Sequence, residues 1–158
     1  MERLAQIPYW IKQSHEYKNY YKHETESTIS RIFIWEACTD IIQENILAGV
    51  GTGDTKDALL EKYLKEEMSG AYEKSLNAHN QFFQTQISIG IIGSLLLLSS
   101  IFIPLFHSFR TTGNNLLTLF IIIIIINFLV ESMLETQAGV MFYAFFNSLL
   151  LFSQEEKV

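Results

Sequence analysis

His79 lies where a polar loop meets the first long apolar stretch of the chain, in the segment AHNQFFQTQISIGIIGSLLLL at residues 78–98. If one unbroken helix covered this segment at 100° per residue, Gln86, Gly90 and Gly93 would fall within about 40° of His79 on one stripe. Small residues let helices approach closely in a bilayer, so the stripe predicts a face that looks into a helix bundle. An imidazole at the water-side rim of that bundle is a candidate for proton transfer.

Arg31 begins one face of a predicted helix, ISRIFIWEACTDIIQE, on which Trp35, Cys38 and Ile42 follow at helical spacing. Two interpretations stay open for this arginine. It is either a surface residue whose head group reaches water, or a clamp for an anion. A guanidinium suits the second role because its charge is permanent and its donors form a fixed fork.

The segment NILAGVGTGD, residues 45–54, which we name the glycine loop, carries Gly49, Gly51 and Gly53 in alternation. Glycines at this density allow left-handed backbone and close approach, so the N–H groups of the loop could line an anion site. A plain flexible turn explains the same composition. The loop is not a Walker A motif, because no Gly-Lys-Ser/Thr follows, and its spacing does not fit a dinucleotide fingerprint.

Glu131 and Glu135 lie four residues apart near the end of the second apolar stretch, and hence on one face if the helix continues through them. Three interpretations stay open: the two carboxylates orient His79, they bind an acceptor sugar, or they are charges that reach water at a helix end.

Metal ligands are not apparent in the sequence. His15 and His23 are eight residues apart without a carboxylate or cysteine at ligand spacing, and Cys38 is the single cysteine. We therefore predict neither a metal site nor another cofactor.

The first 85 residues are predicted to form a helical domain exposed to water. Ser27 or Thr28 can cap a helix that runs to about Glu44, and Asp54 can cap the amphipathic helix TKDALLEKYLKEEM. Nine Lys and Arg residues against thirteen Asp and Glu residues give this half a net charge of −4.

The second half is predicted to lie in a lipid bilayer. Residues 86–106 and 116–134 are each about long enough to cross a hydrocarbon core of about 30 Å, and residues 138–152 form a shorter transmembrane or re-entrant helix. Residues 107–115 connect the first two spans and residues 153–158 form a tail. The sequence thus predicts an all-α integral membrane protein with a helical extracytoplasmic loop domain followed by two to three transmembrane helices.

Charge predicts the orientation in the membrane. Arg110 and Lys157 are the only cations after residue 85, so the positive-inside rule places the connector and the tail in the cytoplasm and residues 1–85 outside it. An isoelectric point near 5.2 and the lack of a basic patch argue against a nucleic-acid partner. The N-terminal MERLAQIPYWIKQ has no apolar signal region, so an earlier span would have to deliver an outward-facing loop. We therefore expect the chain to be the C-terminal part of a larger membrane protein.

Four segments in this order, SRIFIWEA, NILAGVGTGD, AHNQFFQTQISIGIIG and NFLVESMLETQAGVMFYAFFNSLL, resemble the C-terminal third of bacterial O-antigen ligases and the related O-antigen polymerases and O-linked oligosaccharyltransferases. The resemblance covers about residues 27–152, and the tail is similar to the variant seen in Bacteroidetes-type members. Residues 1–26 match no segment that we can name.

The resemblance implies that His79 is the essential histidine of a large periplasmic loop and that Arg31 serves the diphosphate of the donor. It further implies a multi-pass protein of the bacterial inner membrane that transfers a glycan from undecaprenyl diphosphate to lipid A core or another acceptor, without a metal and with inversion. The glycine loop and Asn80 are expected to contact substrate. The alternatives are a polymerase or an O-oligosaccharyltransferase of the same family, or an inactive membrane remnant or assembly protein.

Overall fold

The computed structural model describes residues 28–110 and 115–153, and within these ranges it contains helices and no strand. The elements are α1 (Thr28–Glu44), α2 (Thr55–Lys65), α3 (Ser69–Glu73), α4 (Gln81–Arg110), α5 (Asn115–Val130), a 3-10 turn (Met133–Glu135) and α6 (Gln137–Phe152). The predicted all-α class is confirmed. The first 27 residues of the predicted loop domain, including His15 and His23, lie outside the described residues, as do residues 111–114 of the connector and residues 154–158 of the tail.

The first hydrophobic core joins α1, α2 and the start of α4. From α1 it takes Ile34, Ala37, Cys38 and Ile41, which recur at the three- and four-residue spacing that places side chains on one helix face. Leu59 and Tyr63 of α2 and Ile87 of α4 pack against them, together with Met68, Ala71 and Ala78. Arg31 and Trp35 flank this buried face and are partly exposed. The core therefore anchors α1 next to the segment that carries His79.

The second core joins the antiparallel helices α4 and α5 to α6, through Leu97, Ile101, Leu117, Ile121, Ile124, Phe128 and Tyr143. Contacts at both ends of the pair show that it is antiparallel: the hydroxyl of Ser108 contacts that of Thr118, and the amide nitrogen of Asn80 donates to the carbonyl of Leu129. The start of α4 and the end of α5 therefore lie at the same end of the hairpin.

Most large side chains on the outside of α4, α5 and α6 are apolar and exposed, as in a membrane protein. Among the described residues, α4 is the one helix whose 30-residue length and apolar composition suffice to cross a membrane. Helices α5 and α6 have 16 residues each, or about 24 Å at 1.5 Å per residue. These bounds differ from the predicted spans, since α4 begins at Gln81 and continues to Arg110, and α5 ends at Val130.

Helix α4 is interrupted at Gly90, whose φ of +67° and ψ of −155° are not helical. The glycine loop runs beside the break and completes its hydrogen bonds. Val50 N–H donates to Ile87 O at 2.7 Å, Gly51 N–H donates to Ser88 O at 3.0 Å, and Ile91 N–H donates to Ile46 O at 3.0 Å. The break therefore leaves few backbone groups without a hydrogen-bond partner. Such unpaired groups are unfavourable in the interior of a helix.

The predicted stripe from His79 through Gln86 to Gly90 and Gly93 is wrong. His79 precedes α4, which begins at Gln81, and the break at Gly90 ends the regular 100° spacing. Gln86 instead donates from its amide nitrogen to Ile46 O at 2.9 Å and so faces the glycine loop.

Candidate functional site

His79 belongs to a short loop that side chains from α1 and α4 hold in place. Trp35 donates its indole N–H to Ala78 O at 2.9 Å, and Gln84 accepts the Ala78 N–H at 3.1 Å. His79 itself has a φ of +45°, a left-handed conformation that is uncommon for a residue with a side chain. Its N–H donates to Asn77 Oδ1 at 3.0 Å, which closes a local turn. Hydrogen bonds with the side chains of Trp35, Gln84 and Asn77 therefore hold the backbone that carries the imidazole.

Asn80 forms the N-cap of α4 and also clamps the end of α5. Its Oδ1 accepts the N–H groups of Phe82 and Phe83 at 2.9 and 3.1 Å. Its Nδ2 donates to Leu129 O at 3.1 Å, and only 6% of the residue is exposed. Because both polar atoms of this side chain are engaged within the protein, the arrangement supports a positioning role for Asn80 in place of the predicted contact with substrate.

Arg31, Glu131 and His79, which are far apart in sequence, meet at this end of the hairpin. Glu131 Oε2 lies 3.4 Å from His79 Nδ1, and its Oε1 accepts from Arg31 Nη2 at 3.3 Å. Arg31 also donates from Nη1 to Val130 O at 3.0 Å. The side chains of His79, Glu131 and Arg31 are 22%, 47% and 37% exposed, so the group lies at the rim of the protein.

This geometry suits a general base. If the proton of the neutral imidazole is assigned to Nδ1, this N–H donates a hydrogen bond to Glu131. Nε2 is then free to take a proton from a bound hydroxyl. Arg31 fixes the other oxygen of the same carboxylate, so the base is oriented by a second group that is itself held in place. An imidazolium formed during reaction would be stabilised by the adjacent carboxylate.

The predicted shared helical face of Glu131 and Glu135 is wrong. The N–H of Glu131 makes the last helical bond, to Asn127 O at 2.8 Å, and the chain then leaves α5 before the 3-10 turn that contains Glu135. Glu131 consequently turns to Arg31 and His79. Glu135 lies instead at the wall of two cavities.

The two cavities lie beside the loop of His79. The first, which we name the histidine cavity, has a volume of about 320 Å³ and is lined by His79, Lys56, Asn77, Gln84 and Glu135 among others. The second, the α4 cavity, has a volume of about 370 Å³ and runs along α4 past Gln81, Thr85 and Ser88. Gln84 and Glu135 line both cavities, so the two are neighbours.

The N–H groups of the glycine loop are largely occupied by the protein. Gly49 donates to Asn45 O at 3.0 Å and Gly51 to Ser88 O, so the anion site that these amides were predicted to line is not formed by either of them. Gly49 and Gly51 have positive φ, whereas Gly53 does not. A substrate contact for Gly53 stays a prediction, as does one for the loop as a whole.

Within residues 28–110 and 115–153, no group of three or more His, Cys, Asp or Glu side chains is placed to hold a metal ion.

The sequence did not single out three polar residues that position the site. Ser132 is buried, and its hydroxyl accepts the N–H of Asn80 at 3.3 Å. Gln81 accepts the N–H of Leu134 at 2.7 Å, and Gln84 holds Ala78 as described above. The two glutamines could have been singled out, because polar residues at the start of an apolar stretch need hydrogen-bond partners. The partner of Gln84 is close in sequence, whereas Leu134, the partner of Gln81, lies 53 residues away and could not have been identified.

A comparison with protein families identifies the family of this chain. The model of the family described as Wzy_C, O-antigen ligase, matches residues 4–98, which is more than half of the chain. The match begins well before residue 27, so residues 1–26, which the resemblance left unassigned, lie largely within the family region. It ends before the SMLETQAG tail, and the Bacteroidetes-type assignment stays a prediction. Searches of curated proteins and of solved structures each found no match. Because the matched region contains α1, the glycine loop and His79, the chain belongs to the O-antigen ligase family.

Proposed function

We propose that this chain supplies the catalytic histidine of a membrane glycosyltransferase, which transfers a glycan from undecaprenyl diphosphate to lipid A core or another acceptor. The proposal is supported by the family match and, above all, by the contact between His79 and Glu131, which places a carboxylate on one nitrogen of the imidazole. A polymerase or an O-oligosaccharyltransferase would use the same step with a different acceptor.

The reaction needs a base at the acceptor. His79 Nε2 takes the proton of the acceptor hydroxyl as its oxygen forms a bond to the anomeric carbon of the donor sugar. The bond from that carbon to the diphosphate oxygen breaks, and the lipid diphosphate leaves with the electron pair. Direct displacement of this kind inverts the anomeric carbon, and it requires no metal to activate the hydroxyl.

The leaving diphosphate needs fixed positive charge more than a proton. Arg31 uses one N–H for Glu131 and one for Val130 O, so the other donors of its guanidinium remain available on the exposed side. Lys56 lines the histidine cavity and adds a second cation near His79. Charges fixed in this way stabilise the departing group without having to reorganise during the reaction.

The hairpin and the charge distribution support a membrane orientation for this reaction. His79, Arg31 and Glu131 lie at one end of the α4–α5 pair, and Arg110 ends α4 at the other. The positive-inside rule assigns Arg110 to the cytoplasm. The catalytic end would then face the periplasm, where lipid-linked glycans are presented, in a multi-pass protein of the bacterial inner membrane.

The proposal is tested by His79→Ala in the full-length membrane protein, reconstituted in liposomes with undecaprenyl diphosphate-linked glycan and lipid A core. Transfer, followed by the gel mobility of the product, is expected to fall by roughly 10²- to 10⁴-fold because a positioned general base is lost. His107→Ala, which changes a histidine near the opposite end of α4, is the matched control and should transfer normally. Transfer at the wild-type rate by a folded His79→Ala protein would refute the proposal.

The rival interpretation, an inactive remnant or assembly protein, makes a different prediction. The 158-residue chain, reconstituted with the same donor and acceptor, would then show no transfer, and so would any longer protein that contains it. Transfer that depends on His79 in either protein excludes the rival.

A further inference from the structure

The structure separates two glutamates that look equivalent in sequence. Glu131 is engaged with Arg31 and His79 through its two oxygens. Glu135 is exposed, and its carboxylate makes no hydrogen bond or ion pair with any residue that the structure describes. An uncommitted carboxylate at the wall of a cavity is free to accept hydrogen bonds from a ligand.

Glu135 and Gln84 occupy a shared position, because both line the histidine cavity and the α4 cavity. Gln84 uses its Oε1 for Ala78, while its Nε2 has no hydrogen-bond partner among residues 28–110 and 115–153. A donor and an acceptor are thus uncommitted at the boundary of two cavities that each fall in the usual range of small-molecule pockets, about 300–1,000 Å³.

The walls of the α4 cavity indicate which chemistry it accepts. Its polar lining consists of amides and hydroxyls, including Gln81, Thr85 and Ser88, and Glu135 is its single charged residue. Gln81 and Ser88 are engaged in hydrogen bonds within the protein, which leaves the carboxylate of Glu135 and the Nε2 of Gln84 for a ligand. A carboxylate without a neighbouring cation repels a diphosphate, whereas it accepts hydrogen bonds from the hydroxyls of a neutral sugar. The chemistry therefore fits a sugar better than the charged part of a lipid-linked donor.

The position of His79 indicates whether this sugar belongs to the donor or to the acceptor. Its ring contacts Glu131, which pairs with Arg31, and its side chain also lines the histidine cavity with Glu135. Arg31, the residue expected to serve the diphosphate, lines neither cavity. The imidazole thus borders the Arg31–Glu131 pair, which suits the donor, and the histidine cavity, whose wall carries Lys56 as well as Glu135. The histidine cavity in turn adjoins the α4 cavity, where a hydroxyl-bearing acceptor fits.

We propose that Gln84 and Glu135 form the acceptor-sugar subsite, with the carboxylate of Glu135 accepting from a hydroxyl of the acceptor sugar while a neighbouring hydroxyl reaches His79. This inference rests on the proposed function, since it assigns one substrate of that reaction to a place. It makes Glu135 a residue that determines acceptor affinity and leaves proton transfer to His79.

The kinetic test uses Glu135→Gln in the full-length protein, with lipid A core varied at saturating undecaprenyl diphosphate-linked glycan. The KM for lipid A core is expected to rise on the order of 10-fold, because a hydrogen bond to a charged group is weakened, while the KM for the donor stays unchanged. Glu73→Gln, which changes an exposed carboxylate that lines neither cavity, should alter neither constant. An unchanged acceptor KM, or a raised donor KM alone, would overturn the subsite.

A binding experiment keeps this outcome apart from that of the catalytic proposal. Core oligosaccharide, released from lipid A by mild acid, is titrated into the His79→Ala protein, and binding is followed by saturation-transfer NMR. Binding should persist without His79 and weaken on the order of 10-fold when Glu135→Gln is added. If His79→Ala retains full transfer, the proposed function fails; if added Glu135→Gln leaves binding unchanged, the subsite fails by itself.

Discussion

The glycine loop and the loop of His79 both contact the first half of α4, but they contact it in different ways. In the glycine loop, backbone N–H groups donate to backbone carbonyls that the break at Gly90 exposes. Around His79, side chains from α1, α4 and the segment after α5 converge, and some of their polar atoms remain uncommitted. The first arrangement uses its hydrogen-bonding capacity to complete the fold. The second retains capacity for a ligand.

This difference shows why polar or glycine-rich composition alone does not identify a site. A glycine is required at residue 49 because an added Cβ would lie 2.5 Å from Ile87 O, and at residue 90 because it would lie 2.4 Å from Leu47 O. Both requirements arise from close backbone packing and need no ligand. Substitutions in the two loops should therefore separate stability from activity.

The largest effect on stability is expected for Gly49→Ala. The new Cβ would collide with backbone atoms that cannot move aside cheaply, at a φ of +68°. We expect a loss of about 3 kcal/mol or more in the free energy of unfolding, measured by denaturation in detergent. Gly53→Ala is the matched control, because nothing lies within 4 Å of its added Cβ. Equal stability of the two variants would contradict the structural role of the glycine loop.

A smaller effect, on activity and not on stability, is expected for Glu131→Gln. The amide keeps the shape of the side chain but removes the charge that orients His79 and pairs with Arg31. By analogy with other groups that orient a functional histidine, kcat should fall roughly 10- to 100-fold.

Glu135→Gln sharpens this test, since its effect is expected on the KM for the acceptor and not on kcat. A fall in kcat for Glu135→Gln, together with a normal kcat for Glu131→Gln, would reverse the roles that the structure indicates for the two glutamates.

The smallest effect is expected for Cys38, whose contribution to the free energy of unfolding changes only at high pH. Burial raises the pKa of its thiol from 9.0 to about 12. A raised pKa means that the unfolded chain loses the proton first, so the associated stability is complete below pH 9 and is lost as the pH rises from there towards 12. The free energy of unfolding should therefore fall more steeply above pH 9 in the wild type than in Cys38→Ala. The folded protein should also resist alkylation at pH 8; rapid labelling there would show that the thiol is accessible.

Much of the local structure was predictable from the sequence because its causes are local. The spacing of apolar residues predicted α1 and α2, and the long apolar stretches predicted the helices of the second half. The residues at which the helices end or break were less predictable. Glu131 leaves α5 because its segment docks on α1 and α4, and Gly90 interrupts α4 because the glycine loop replaces the missing hydrogen bonds. Neither partner is close in sequence.

The sequence by itself determined that the chain is helical, that its second half is apolar, and that His79 and Arg31 carry the chemistry worth examining. Only the tertiary structure decided that Glu131 joins these two side chains across 52 and 100 residues, while Glu135 faces the cavities. The physical reason is that helix formation and capping depend on residues a few positions apart, whereas the meeting of charged side chains depends on how whole helices pack.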